Sequence, residues 1–333
     1  MKAGIFFYLC KRNRNQDSLM KAKLIVLFLL LGMVTSSHAQ TKLVFTPQWT
    51  AQAQFAGFYV AEAKGFYKEA GLNVSIEHPS ASNPNVNRLK VGQSQFITLH
   101  LVSAMKFIDQ GLQLVNILQH FQQNMQVIVS HTPLKGIESL RGMKIGHWKS
   151  GFSELAFSLN NKYNLGIQWV PFISHVNLYI SKAIDATMAM SYNEFYQLII
   201  AGQKIQKNQT LYFRDIGYNV PEDGIYTTAQ FYKSHKKEVE KFAEATRKGW
   251  EWAYNNPDET LDIVMMYCQA NNVATNRGIQ KWMLEECLNA LKDIHTGKRP
   301  YTLNPQGLDL ANKVMAEGNI IKQPISYQQI TKP

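Results

Sequence analysis

From Lys42 onward, strand-like and helix-like segments alternate with a regularity that leaves few folds open. KLVFTPQW (Lys42 to Trp49) carries the apolar run of a strand, AGFYVAEAKGFYKEAG patterns as a helix closed by Gly71, and LNVSIEH reads as the next strand. A short helix over Val86 to Val91, the strand FITLHL and the helix VSAMKFIDQG follow, then two more strands, LQLVNILQHF and MQVIVSH. Strands separated by helices pair in parallel, so this order predicts an α/β protein with mainly parallel sheets.

A second run of the same kind begins near Leu134. GIESLRG, SELAFSLNNKYNLG, NLYISKA and YNEFYQLIIAG pattern as helices, and MKIGHW, IQWVPFI and IDATMAM as the strands between them, ending near LYFRDIGY. After EDGIYTTAQF the character changes, and Lys236 to Gly318 is nearly all helix, with aromatics at helical spacing in KFAEATRKGWEWAYNNP. Two α/β units followed by a helical tail predict two lobes with a crossover, the tail returning to the first. Residues 40–122 form the first part of lobe 1, residues 123–222 lobe 2, and residues 223–333 a mostly helical return to lobe 1. The 333 residues suffice for two sizeable cores. Ligands of open α/β sheets bind beyond the carboxyl ends of the strands, which here means the cleft between the lobes.

Residues 1–39 have a different composition. From Met20 the chain reads MKAKLIVLFLLLGMVTSSHAQ, with two lysines, an apolar run from Leu24 to Val34 and the small-x-small site Ser37-His38-Ala39. This predicts a signal peptide cut after Ala39, with residues 1–19 as an extended n-region or an upstream start. No cysteine follows the apolar run, so a lipid anchor is not expected, and the released protein is expected to be free in a periplasm, or secreted. The leader holds a net +5 of the formal +11, leaving about +6 with no dense Lys/Arg patch interleaved with aromatics. Nucleic acid is therefore not an expected partner. Cys10 falls in the leader. Cys268 and Cys287 lie in helical patterns, where a bridge and two buried free thiols both remain open. With no Cys/His cluster at ligand spacing, neither a metal nor a cofactor is expected.

The residues able to carry chemistry gather at strand ends. Gln48 and Trp49 follow the first strand and Phe55 precedes the first helix; an indole there either stacks on a ligand or plugs the core. In MSYNE, Tyr192, Asn193 and Glu194 occupy a strand-to-helix turn. Glu194 either complements the helix dipole or receives N–H donors from a ligand beside a stacking tyrosine. In WKSGFSEL, Gly151 and Phe152 precede a helix whose free N–H groups suit an anion, unless Ser153 simply caps it. His100 ends a strand, Gln122 lies near the crossover, and Asp223 lies in NVPEDG, where turn chemistry is the alternative.

QWTAQAQFAGFYVAEAKGFYKEAGLNV, LRGMKIGHWKSGFSE, AMSYNE and PEDGIYTT occur in that order, and together they resemble the NMT1/THI5-like (SsuA/THI5-like) substrate-binding proteins of ABC importers. The resemblance spans roughly Lys42 to Gly318, and the M-x-Y-N-E block points toward binders of thiamine-pyrimidine-like heterocycles. It implies a type II periplasmic-binding-protein fold closing on a small ligand, a monomer that serves ABC permease subunits in the membrane. Binders of sulfonates, nitrate and riboflavin belong to the same group. The resemblance also assigns roles, with Trp49 and Tyr192 stacking on a ring and Glu194 meeting its nitrogens. An enzyme branch, the fungal pyrimidine synthases, uses iron, clustered cysteines and a first-loop histidine. Here WTAQAQFAG places Phe55 at the histidine's position and the cysteine cluster is absent, so an enzyme is not expected.

Overall fold

The structure is a computed structural model that describes residues 42–331 apart from 150, 174 and 175. The expected signal peptide lies outside the described residues. Strands β1 (Lys42–Thr46), β2 (Asn73–Ile76), β3 (Phe96–His100) and β4 (Leu114–Gln119) come first in the chain. Next are β5 (Gln126–Ser130), β6 (Lys144–Trp148), β7 (Gln168–Phe172), β8 (Ala186–Met190) and β9 (Thr210–Tyr212), and finally β10 (Asp223–Thr228). They build two five-stranded sheets, β2-β1-β3-β10-β4 and β7-β6-β8-β5-β9.

Both sheets depart from the mainly parallel expectation in the same way. β10 runs antiparallel between β3 and β4, and β5 runs antiparallel between β8 and β9. The cause is connectivity, because parallel neighbours need a crossover helix between them. β10 enters the first sheet directly from the second, with no such helix. The two chain segments that pass between the sheets lie side by side. His120 N and Phe121 N both donate to Asp223 O (3.2 and 3.1 Å), and Glu222 N donates to Phe121 O (3.1 Å).

The helical tail also divides its packing. The Lys236–Asn255 helix buries Val239, Phe242, Ala245, Thr246, Gly249, Trp250 and Ala253, a stripe at three- and four-residue spacing. That stripe lies on the Ala56–Ala63 helix beside the first sheet, as a return to the first unit requires. The Pro305–Glu317 helix instead packs mainly on Glu154–Tyr163, a helix of the second unit. Ser158 Oγ donates to Val314 O, Asn161 Nδ2 donates to Gly318 O (2.9 Å), and Lys162 pairs with Glu317 at 2.8 Å. The tail thus contacts both halves of the molecule. Its helices begin on local signals: Asn276 and Asn304 accept from backbone N–H groups two or three residues on, and Pro257 and Pro305 open their helices. Cys268 and Cys287 are buried free thiols, with Cys268 Sγ donating to Ala51 O at 3.4 Å.

Candidate functional site

A pocket opens where the carboxyl ends of strands from both sheets meet. The first sheet contributes Gln48 and Trp49 after β1, Gln52 and Gln54 from the turn that follows, and His100 at the end of β3. The second contributes Trp148 at the end of β6, Phe152 beyond it, Met190 at the end of β8, and Tyr192, Asn193 and Glu194. Counting its open mouth, the space is about 300 Å³.

Seven of the residues singled out in the sequence therefore meet here: Gln48, Trp49, His100, Phe152, Tyr192, Asn193 and Glu194. The others do not. Phe55 is fully buried in the core, because the Ala53–Phe55 turn points its ring inward toward His78, 5.8 Å away. Gln122 is held at the crossover, donating to Gln119 O (2.7 Å) and Thr302 O (3.4 Å). Gly151 adjoins Phe152 without lining the pocket; its φ of 121° and the 64° of Phe152 give this loop a left-handed course. Asp223 is completely buried and acts from behind the wall. Gln52, Gln54, Trp148 and Met190 went unassigned in the sequence. The Q-x-Q spacing in TAQAQ and the strand-end position of Trp148 were the available signals.

Trp49 is only partly buried, and its ring meets Phe152 edge-on at 5.7 Å and 77°. The aromatic ring in contact with Trp49 is that of Phe152. Phe152 also lies 4.9 Å from the His100 ring, and Gln126 Nε2 donates to Phe152 O at 2.9 Å to hold the loop. Glu194 does two things at once. It lines the pocket, and it ties the turn together by accepting from Trp148 Nε1 (3.3 Å), Asn193 Nδ2 (3.1 Å) and Met190 N (3.0 Å). Burial raises its carboxyl above the ordinary range, and these donors partly offset that. Ser153 does not cap the Glu154–Tyr163 helix; its hydroxyl donates to Gly151 O at 3.3 Å, and Glu154 is itself buried in the first turn.

Beneath the wall, Asp223 accepts from Gln48 Nε2 (2.9 Å) and Gln54 Nε2 (2.7 Å), with His100 Nε2 at 3.2 Å and His120 Nε2 at 4.0 Å. Burial pushes Asp223 up to about 6 against its amide donors. It pushes His100 and His120 down to about 3, so both imidazoles are neutral near pH 7. Among the described residues, His100, Glu222 and Asp223 bring potential ligand atoms within 4.8 Å of one another, but the Asp223 oxygens are taken by amides. The first-loop part of an iron set is missing, because Phe55 offers no ligand atom and is core. The residues present do not fit that iron site.

The buried imidazoles make a testable contribution to acid lability. Below about pH 6.5 an unfolded histidine takes up a proton that folded His120 refuses, so folding weakens as pH falls toward 3. Asp223 acts in the opposite sense, its cost appearing as pH rises from 4 to 6. That term is common to wild type and a His120 variant. We expect His120→Asn to gain about 2 kcal/mol on wild type between pH 7 and pH 5. Urea unfolding at both pH values measures this, and parallel losses in the two proteins would refute it.

Comparison with known proteins agrees with this architecture. The chain is 25% identical over 247 residues to the riboflavin-binding protein RibY of Chloroflexus aurantiacus, covering 71% of this chain and 68% of that one. It is 23% identical to a putative thiamine biosynthesis protein of Haemophilus influenzae, covering 71% and 77%. The periplasmic aliphatic sulphonate binding protein SsuA of Escherichia coli superposes with a TM-score of 0.62 at 12% identity, over 89% of this chain and 93% of that one. The two mixed sheets are those of the periplasmic-binding-protein fold. Residues 52–260 match the family described as NMT1/THI5 like, and the chain belongs to that family.

Proposed function

We propose that the mature chain is the solute-binding component of an ABC importer, exported to a periplasm by residues 1–39. In this reading residues 40–122 and 223–333 form one lobe and residues 123–222 the other. The protein works as a monomer that delivers its ligand to permease subunits in the membrane, without catalysis. The ligand is a small aromatic heterocycle bearing N–H groups. A thiamine-type aminopyrimidine is the first choice and a flavin-like ring the second.

One observation carries this: among the described residues the pocket wall combines Trp49, Trp148, Phe152 and Tyr192 with the carboxylate of Glu194 and contains no Lys or Arg. Aromatic faces stack on a flat ring, and a carboxylate accepts its N–H groups. A sulfonate or nitrate would meet no cation on that wall. The helix start after Gly151 offers it little, because buried Glu154 occupies the first turn. The likeness to one relative named for riboflavin binding and another named for thiamine biosynthesis supports this reading.

The test is a thermal-shift screen of residues 40–333 against aminopyrimidines, thiamine, riboflavin, taurine and nitrate, with calorimetry on the hits. An aminopyrimidine at about 100 times its Kd should raise the melting temperature by about 5 °C or more. Stabilisation by taurine or nitrate alone would overturn the assignment. Iron-dependent turnover of a bound pyrimidine would replace the transport reading with an enzymatic one.

A further inference from the structure

Asp223 lies off the pocket wall, yet three wall residues from three different segments converge on it. Gln48 arrives from the loop after β1, Gln54 from the Ala53–Phe55 turn, and His100 from the end of β3. An ionised carboxylate only accepts hydrogen bonds. Each glutamine must therefore turn its NH₂ group toward Asp223 and its carbonyl oxygen away. His100 Nε2 lies 3.2 Å from Asp223 Oδ1 without the alignment of a hydrogen bond, and a lone pair there would face the carboxylate, so the proton belongs on Nε2 and Nδ1 is left bare.

The acceptors left over are informative. Gln54 Oε1 is satisfied by Gln52 Nε2 at 2.6 Å. Among the described residues Gln48 Oε1 and both ring nitrogens of His100 are buried without an aligned hydrogen bond, although both residues line the pocket. Buried acceptors without donors are uncommon and costly. The nearest ring to His100 from across the pocket is that of Phe152, a hydrocarbon surface that donates nothing.

We propose that Asp223 is a positioning residue that fixes the hydrogen-bond polarity of the pocket floor, presenting Gln48 Oε1 and His100 Nδ1 as paired acceptors to the ligand. This rests on the pocket being the binding site, and it narrows the ligand class. The bound molecule carries N–H or O–H donors on the edge facing the first sheet, in addition to those that meet Glu194. Molecules that are acceptors on that edge are rejected, because they would set lone pair against lone pair.

Two measurements test the assignment. In the unliganded wild-type protein at about pH 8, ¹⁵N NMR of the imidazoles, assigned with a His100→Asn variant, should show the Nε2–H tautomer for His100. The Nδ1–H tautomer would overturn the proposal, whether or not any heterocycle binds. The second measurement compares 2,4-diaminopyrimidine with 4-amino-2-(dimethylamino)pyrimidine, which keeps one amino group for Glu194 but lacks the second set of N–H donors. Wild type should favour 2,4-diaminopyrimidine at least tenfold. Asp223→Asn puts an amide donor among Gln48, Gln54 and His100, so one of them must turn over and the preference should fall to within about threefold. An unchanged preference in a folded Asp223→Asn variant would also overturn the proposal. If that variant does not fold, the tautomer decides. If wild type binds neither pyrimidine, the functional reading fails, and the tautomer still decides the role of Asp223.

Discussion

Gly249→Ala is expected to lower the melting temperature of the unliganded protein by about 5 °C, the loss that roughly 3 kcal/mol produces in a protein of this size. Gly249 lies where the Lys236–Asn255 helix crosses Ala56–Ala63, opposite Gly57. A Cβ there would come 2.1 Å from Gly57 O, 2.9 Å from Ala61 Cβ and 3.0 Å from Ala61 N. Backbone atoms cannot step aside as the tip of a side chain can, so the helices must separate. Separation moves Trp250, whose ring is fully buried, stacks on His120 at 5.3 Å and meets Phe58 and Phe121 edge-on. His120 and Phe121 belong to the crossover between the sheets, so the damage extends toward Asp223. Alanine's better helix propensity returns only about 1 kcal/mol. Gly278→Ala is the control: that position is exposed in the first turn of a helix, and its Cβ would meet only Asn276 Oδ1 at 3.3 Å. Calorimetric melting of both variants decides the matter. A Gly249→Ala protein melting within about 2 °C of wild type would mean that the crossing is looser than the structure shows.

The alternation of elements was legible because each strand and helix is specified by neighbours a few residues away. Strand ends were legible for the same reason, so seven pocket residues could be named from the chain alone. What escaped depends on partners far apart in sequence. Asp223 could be read as turn chemistry because nothing near it reveals Gln48 and Gln54, which lie 175 and 169 residues earlier. Phe55 looked like a first-loop residue, since the sequence does not say that the Ala53–Phe55 turn rotates its ring into the core. Ser153 looked like a cap, but its hydroxyl goes back to Gly151 O because the loop ahead of it is left-handed at Gly151 and Phe152. The antiparallel placement of β5 and β10 follows from two crossovers between the sheets, and no local pattern encodes them. The Pro305–Glu317 helix has an ordinary amphipathic stripe. Only tertiary structure shows that its partner is the Glu154–Tyr163 helix, beside the second sheet.

Among single substitutions in the pocket, Trp49→Ala should have the clearest effect on binding: affinity for the heterocycle falls about 10- to 100-fold, consistent with roughly 1–3 kcal/mol for one stacked face. The fold should survive. The Trp49 side chain is partly exposed and its aromatic contact is an edge-on one with Phe152. His78 Nδ1, 2.7 Å from Trp49 O, bonds to the backbone and is indifferent to the indole. Glu194→Gln is a poorer probe, because the carboxylate also receives Met190 N, Trp148 Nε1 and Asn193 Nδ2. An amide there sets one N–H group against another, and an unsatisfied buried donor costs about 1–3 kcal/mol of stability on its own. Loss of binding in that variant would mix a missing ligand contact with a loosened turn. Trp49→Phe keeps a stacking face and should recover most of the affinity. Phe152→Ala removes the ring that now lies against Trp49, and it should leave affinity unchanged or raise it if the ligand ring takes that place. Titration calorimetry on the three variants separates a clamp from a wall. An unchanged Kd in Trp49→Ala would make the indole a wall and leave ring stacking on the first-sheet side of the pocket without its principal contact.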